Sequence, residues 1–205
     1  MQKLNMYCIT IHDRHLNLIK SLGYYPVGLG NTIKSKDFLR DNTKTNICEK
    51  NPFYGEYTFH YWLWKNGIEL PENTWIGFCQ YRKFWSITNE VKKIKNIQIL
   101  SDLVLKEIPK EYIGYDSILG ESLFVNQFKF SKFIKQNLKT MLKKPVLFFD
   151  KNKRNLKFHF DMMHGSGNLT KAINLLDNSE KKDFSNFIEE SVSFNPHNMF
   201  ICKSK

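Results

Sequence analysis

The sequence predicts an α/β fold, a sheet with helices on its faces. Short apolar runs rich in β-branched and aromatic residues alternate with helical patterns through the first half of the chain. Hydrophobic residues make up 41% of the 205 residues and aromatics 15%, which supplies a core and rules against a disordered chain. There is no internal repeat and no long linker, so the length reads as one domain over residues 1–205.

Residues 6–11 (MYCITI) form a first buried strand that ends at the polar HDRH. A short helix over 16–22 stops at Gly23. YYPVGLGN gives a second strand, with Pro26 near its start and Gly28 and Gly30 at its end. Residues 34–50 are polar and turn-rich, a surface loop with one helical turn at most. A helix spans 52–65, with Asn51 as N-cap, Pro52 in its first turn and Asn66-Gly67 as its stop. Phe53, Tyr57, His60, Tyr61 and Trp64 share one face of it. Phe53 and Trp64 read as core, whereas Glu56, His60 and Lys65 are hard to bury without partners. Residues 75–79 are a strand, and QYRKFW leaves its end. Residues 86–112 are lysine-rich and irregular, with NIQIL opening either a strand or a helix. YDSILGES is a short strand and turn. An amphipathic basic helix over 129–143, a strand over 145–149, a turn at DKNKRN, helices over 169–176 and 180–190 and a last strand in HNMFICK complete the chain.

Thirty-one basic against 20 acidic residues give a net charge of +11. That balance suits nucleic acid, an anionic lipid surface or a phosphate-bearing substrate, and it also arises from plain lysine-rich composition. Cys8, Cys48, Cys79 and Cys202 are far apart, without C-x-x-C, which argues against a zinc ribbon. Cys8, Cys79 and Cys202 lie in apolar runs as small hydrophobes. The amino-terminal apolar stretch is too short for a signal peptide, and no run approaches the ~18 apolar residues of a membrane span. The expected location is cytoplasmic, free or against the inner membrane face. Walker, G-x-G-x-x-G, G-x-S-x-G and H-E-x-x-H motifs are absent.

In α/β sheets ligands bind beyond the carboxyl ends of the strands. Those ends carry Thr10, His12, Gly28, Gly30, Gln80, Tyr81, Arg82, Lys83, Asp116 and Asn198. Arg82 and Lys83 form either a clamp for a pyrophosphate or a solvated charge pair. The aromatic helix suits a sugar, through C–H stacking and side-chain hydrogen bonds, and suits single-stranded RNA equally. No D-x-D is present, so a divalent cation, Mn or Mg, would need carboxylates distant in sequence; otherwise the basic clamp does that work. Asp41, Glu49, Glu56 and Asp116 are the candidate carboxylates, each more often a cap or a surface group. His164, in DMMHGSGN, is more often structural than catalytic.

Four segments in order carry a resemblance: NICEKNPFYGEYTFHYWLWKN, WIGFCQYRKFW, YDSIL and FNPHNMFICK. CITIH and YYPVGLG extend it toward the amino terminus. Together they resemble a bacterial family catalogued as domain of unknown function 4422, linked to capsular polysaccharide, exopolysaccharide and lipopolysaccharide synthesis. The resemblance spans nearly the whole chain. It implies a GT-A-like, Rossmann-like sheet, mixed and mainly parallel, and transfer of a sugar from a nucleotide donor, a UDP-sugar, to a growing lipid-linked glycan. It would place Thr10 and His12 near the nucleotide base and Asn46, Asn51, Glu56, Tyr61, Trp64, Lys65 and Asn66 around donor or acceptor. Gln80, Tyr81, Arg82 and Lys83 would face the diphosphate, and Asp116 and Asn198 would close the site. There are departures. Gly55 stands for a usual cysteine, read as a packing change. Gln80 stands for a histidine, Lys83 for an arginine, and Asn168 for an acid four residues after His164. The chain also stops early relative to the family, and residues 129–155 look like an insertion.

The expectation is a glycosyltransferase with Glu56 or Asp116 as base, Arg82 and Lys83 on the leaving diphosphate, and no certain cofactor. Its partners would be a nucleotide-sugar, a lipid-linked glycan and an anionic membrane surface under the basic helix. Two alternatives stand beside it: an inactive nucleotide- or glycan-binding relic of that family, and a basic RNA-binding module. No RNP-like or KH-like signature supports the second, so nucleic acid is not an expected partner.

Overall fold

The structure is a computed structural model of the chain, and it describes residues 2–88, 94, 96–127, 150 and 153–204. The chain divides into two compact units, Met1–Gly120 with His197–Lys205, and Glu121–Pro196.

The first unit is the expected mixed, mainly parallel sheet flanked by helices. Its strands are β1 (Gln2–Thr10), β2 (Tyr25–Gly28), β3 (Leu39–Arg40), β4 (Trp75–Gln80), β5 (Glu107–Ile108), β6 (Ser117–Leu119) and β9 (Phe200–Lys203). The order is β3-β2-β1-β4-β9-β6, with β5 on the first residues of β1. β1 to β4 run parallel, and β9 runs antiparallel between β4 and β6. β1 reads as a continuous apolar run because both its faces are covered. Leu4, Met6 and Cys8 point to one core, with Ile19 of α1 (Leu16–Ser21), Leu22 just after it, Trp75, Cys79 and Ile201. Tyr7 and Ile9 point to the other, with Val27, Phe78, Phe59 and Trp62.

The expected helix over 52–65 is two helices, α2 (Asn51–Tyr54) and α3 (Tyr57–Asn66). Gly55 divides them at φ 52°, ψ −129°, and a Cβ there would meet nothing within 4 Å. Its glycine serves the backbone turn, not packing. Asn51 is not the cap. Its amide donates across the break to the Gly55 carbonyl (3.0 Å) and Thr58 Oγ1 (3.2 Å). The core assignment of Phe53 and Trp64 is also corrected: they are 89% and 72% exposed. Thr58, Phe59 and Trp62, spaced i, i+1, i+4 on another face, turn inward, and Phe59 stacks on Trp62 and meets Phe78 edge-on. Truncating Phe59 to alanine should cost about 3–5 kcal/mol.

The loop expected over 34–50 contains β3, which pairs with β2, and a 3-10 turn at Cys48–Lys50. NIQIL opens a helix, α4 (Ile97–Leu103), whose amino end is capped by Asn96 Oδ1. Cys8, Cys48 and Cys79 are buried, Cys202 is half-buried, and all four are free.

In the second unit β7 (Leu123–Phe124) pairs antiparallel with β8 (Ser193–Phe194). Among the described residues three helices accompany them: α5 (Leu156–His164), α6 (Asn168–Ile173) and α7 (Asn178–Glu190). Val125, Leu156, Ile173 and Ile188 form its core. α5 was not expected, although Asn155 caps it and Gly165, at φ 95°, ends it. The expected basic helix over 129–143 and the strand over 145–149 lie outside the described residues. No helix among the described residues is long and apolar enough to cross a membrane.

Candidate functional site

The parallel strands β1, β2 and β4 end on one edge of the sheet, and β9 starts there because it runs the other way. Three groups of side chains meet along this edge.

The first follows β1. His15 Nδ1 and Thr10 Oγ1 are 2.7 Å apart, and Arg14 Nε donates to His15 Nε2 at 3.3 Å. The ring proton therefore sits on Nδ1 and is donated to Thr10, whose oxygen also accepts the His12 amide. Burial, then the charges of Arg14 and His12, hold the His15 pKa below its ordinary value, in keeping with a neutral ring. Tyr81 stacks on that ring at 4.0 Å and 11°.

The second group is the turn after β4. Gln80 and Lys83 exchange both backbone hydrogen bonds, which places Tyr81 and Arg82 at the tip of a tight turn. Arg82 is exposed there, its guanidinium 5.7 Å from the Tyr81 ring. Gln80 Nε2 donates to Glu56 Oε1 at 2.6 Å. Lys83 Nζ reaches His197 Nε2 at 2.8 Å.

The third group lies over β9. Tyr57, His60 and Trp64 of α3, Leu119 at the end of β6, and His197 to Phe200 line a cleft of about 450 Å³. The His60 ring is wedged against Phe78 (5.0 Å) and Phe200 (5.4 Å). Burial lowers its pKa, opposed by the Glu56 charge and a hydrogen bond with the Asn198 backbone. Its Nε2 is shut from solvent and has no hydrogen-bond partner among the described residues.

Of the residues expected at the site, the structure brings Thr10, His12, Glu56, Gln80, Tyr81, Arg82, Lys83 and Asn198 to this edge, and Tyr61, Trp64 and Lys65 onto α3 beside it. It does not bring Asp116 there. β6 runs parallel to β4, and Asp116 precedes it, bonded to Lys203 opposite the first residue of β4. β4 has six residues, so Asp116 and Gln80 lie at ends roughly 16 Å apart. The Asp116 side chain is 95% exposed and pairs with Lys203 Nζ at 3.0 Å.

Four other expected residues shape the backbone. Gly28 packs so closely on Ile33 that a Cβ would lie 2.9 Å from Cγ1. Asn46 closes a turn onto the Cys48 amide, Asn51 bridges the α2–α3 break, and Asn66 ties Thr45 to the end of α3. His164 belongs to the second unit, where its carbonyl accepts the Asn168 amide. Three histidines at this edge carry no role from the sequence reading: His15, His60 and His197. His60 stands one helical turn after Glu56, and His197 immediately precedes Asn198.

Among the described residues no group of three or more His, Cys, Asp or Glu side chains could hold a metal ion. The described residues therefore offer no cluster that would hold a divalent cation by protein ligands alone.

No curated protein sequence matches the chain. A solved structure described as the apo form of the bifunctional glycosyltransferase WbbM matches 99% of it with a TM-score of 0.59, at 19% identity. The match covers 34% of that structure's chain, so this chain spans about a third of its length. The likeness is one of fold. A family model, described as a domain of unknown function, matches residues 6–205, and on that match the chain belongs to the DUF4422 family.

Proposed function

We propose that the chain is a glycosyltransferase that moves a sugar from a nucleotide-sugar, UDP-linked, to a growing lipid-linked or surface glycan. The observation that carries this reading is the convergence of one carboxylate, Glu56, with Arg82 and Lys83 on the carboxyl edge of the sheet, beside an aromatic cleft. The family resemblance and the shared fold point the same way.

Glu56 takes the proton of the acceptor hydroxyl as that oxygen bonds to C1 of the sugar. The bond from C1 to the diphosphate breaks, and its electron pair leaves with the nucleoside diphosphate. Arg82 and Lys83 put positive charge where the leaving group gathers negative charge. Tyr81, stacked on His15, offers a flat surface at the same edge. No step runs through a metal ion.

The test is UDP release from a panel of UDP-sugars in the presence of lipid-linked acceptors. The expected result is acceptor-dependent release that Glu56→Gln abolishes. Absence of release with every pair contradicts the reading. Nucleotide binding without release supports a second reading, a binding protein without turnover. One observation favours that one: the Gln80 amide, where the family resemblance expects a histidine, already occupies Glu56 Oε1.

A further inference from the structure

We infer that the cleft over β9 is the acceptor subsite, and that it grips a pyranose ring by stacking one C–H face on the indole of Trp64. This rests on the transferase reading and adds the class of acceptor and the residue that positions it.

Trp64 is 72% exposed in a helix whose inward stripe is already filled by Phe59 and Trp62. Folding gains little from an indole placed there. Yet the ring is held: Lys65 Nζ sits 3.5 Å from its centroid, and Tyr61 meets it edge-on at 5.8 Å and 81°. Lys65 takes one face, and the exposure leaves the other to a ligand. A ring fixed before binding loses little rotamer freedom when the ligand arrives. Tyr57, 55% exposed, and Leu119, 60% exposed, extend the apolar wall.

The polar groups are few and convergent, as in sugar and cofactor pockets. The Asn198 side-chain amide has no partner among the described residues. The His60 ring lines the cleft with its Nε2 turned away from solvent, and His197 is pinned by Lys83. A lipid tail would leave the Asn198 amide unsatisfied, which is costly. A nucleobase has its own flat surface at Tyr81 and His15, on the β1 side of β4. A ring with one apolar face and a rim of hydroxyls matches both the indole and the polar groups. The cleft adjoins Glu56, one turn before His60 on the path into α3, so a bound acceptor would present its hydroxyl to the proposed base.

The test is saturation-transfer NMR with methyl glycosides of galactose, glucose, mannose, rhamnose and N-acetylglucosamine, with UDP binding measured separately on the same samples. At least one glycoside should receive saturation, strongest on the protons of one ring face. Trp64→Ala should weaken that binding at least tenfold and leave UDP affinity within twofold. Arg82→Ala should do the reverse. The indole is exposed, so Trp64→Ala should fold, and Lys65→Met, which only frees the ring, should give a smaller loss in the same direction. The inference is overturned if no glycoside receives saturation, or if Trp64→Ala leaves the transfer intact. It is also overturned if Trp64→Ala abolishes UDP binding, which would make the indole a base platform. Loss of UDP binding in the wild type alone would sink the donor reading and leave the glycoside result to stand by itself.

Discussion

Replacing Asp41 tests how the sheet edge is held in place. Asp41 follows β3 and is fully buried. Its Oδ1 accepts the Gly30 amide at 2.9 Å and its Oδ2 accepts the Thr58 hydroxyl at 2.6 Å. Those two bonds tie the loop after β2 to the first turn of α3, the helix that carries His60 and follows Glu56. Hydrogen bonds to a charged group contribute about 1.5–3 kcal/mol each, so losing both should cost about 3–6 kcal/mol. That is a large share of the 5–15 kcal/mol typical of a domain. Trp62, Trp64, Trp75 and Trp85, all four tryptophans of the chain, belong to the first unit, so tryptophan fluorescence during urea unfolding reports on that unit alone. Asp41→Ala should lower its midpoint by about 1 M or more, given slopes of a few kcal/mol per molar. Thr58→Val should lose about half as much, and the two changes together should be less than additive. A loss below about 1 kcal/mol for Asp41→Ala would refute the claim that this carboxylate anchors α3.

Other consequences are open to direct measurement. Gly55→Ala should destabilise the first unit by about 1–3 kcal/mol through backbone strain alone, since its Cβ would have room; equal midpoints would show that φ +52° is not required. Glu56→Gln should leave the unfolding free energy within about 1 kcal/mol of wild type while abolishing transfer, because the side chain is not in the core. The His60 pKa is lowered on folding, so the unfolded chain binds more protons below its ordinary value of 6.5. Stability should therefore fall as pH drops through that value, and His60→Phe should flatten the slope of midpoint against pH. A steeper or unchanged slope in that variant would mean His60 is not the group responsible.

Much of the fold is legible in the sequence because its central strands are local signals. β1, β4 and β9 are apolar runs bounded by polar residues, and two-sided burial makes such runs conspicuous. β3 is not legible: two residues make a strand only because β2 lies beside them. Helical periodicity finds a face but not its direction. With seven aromatics over 53–64, the stripes through Trp64 and through Trp62 are equally regular, and only contact with Phe78 selects the second. The division at Gly55 turns on a positive φ that composition does not reveal. α5 carries its signals in Asn155, which caps it, and Gly165, which ends it. Asp116 shows the sharpest limit. YDSIL announces a strand without announcing its direction, and direction decides which edge the aspartate occupies. The histidines at 15, 60 and 197 acquire meaning only through partners distant in sequence, Tyr81, Phe200 and Lys83 among them.

The most direct test of the account is a thermal-shift screen of the purified protein against UDP-, GDP-, dTDP- and CMP-linked sugars, with and without Mn²⁺. The account predicts that UDP-sugars raise Tm without Mn²⁺, and that Arg82→Ala and Lys83→Ala each reduce the rise. No shift with any nucleotide-sugar, or an equal rise in both variants, would contradict the claim that this sheet edge binds a nucleotide diphosphate.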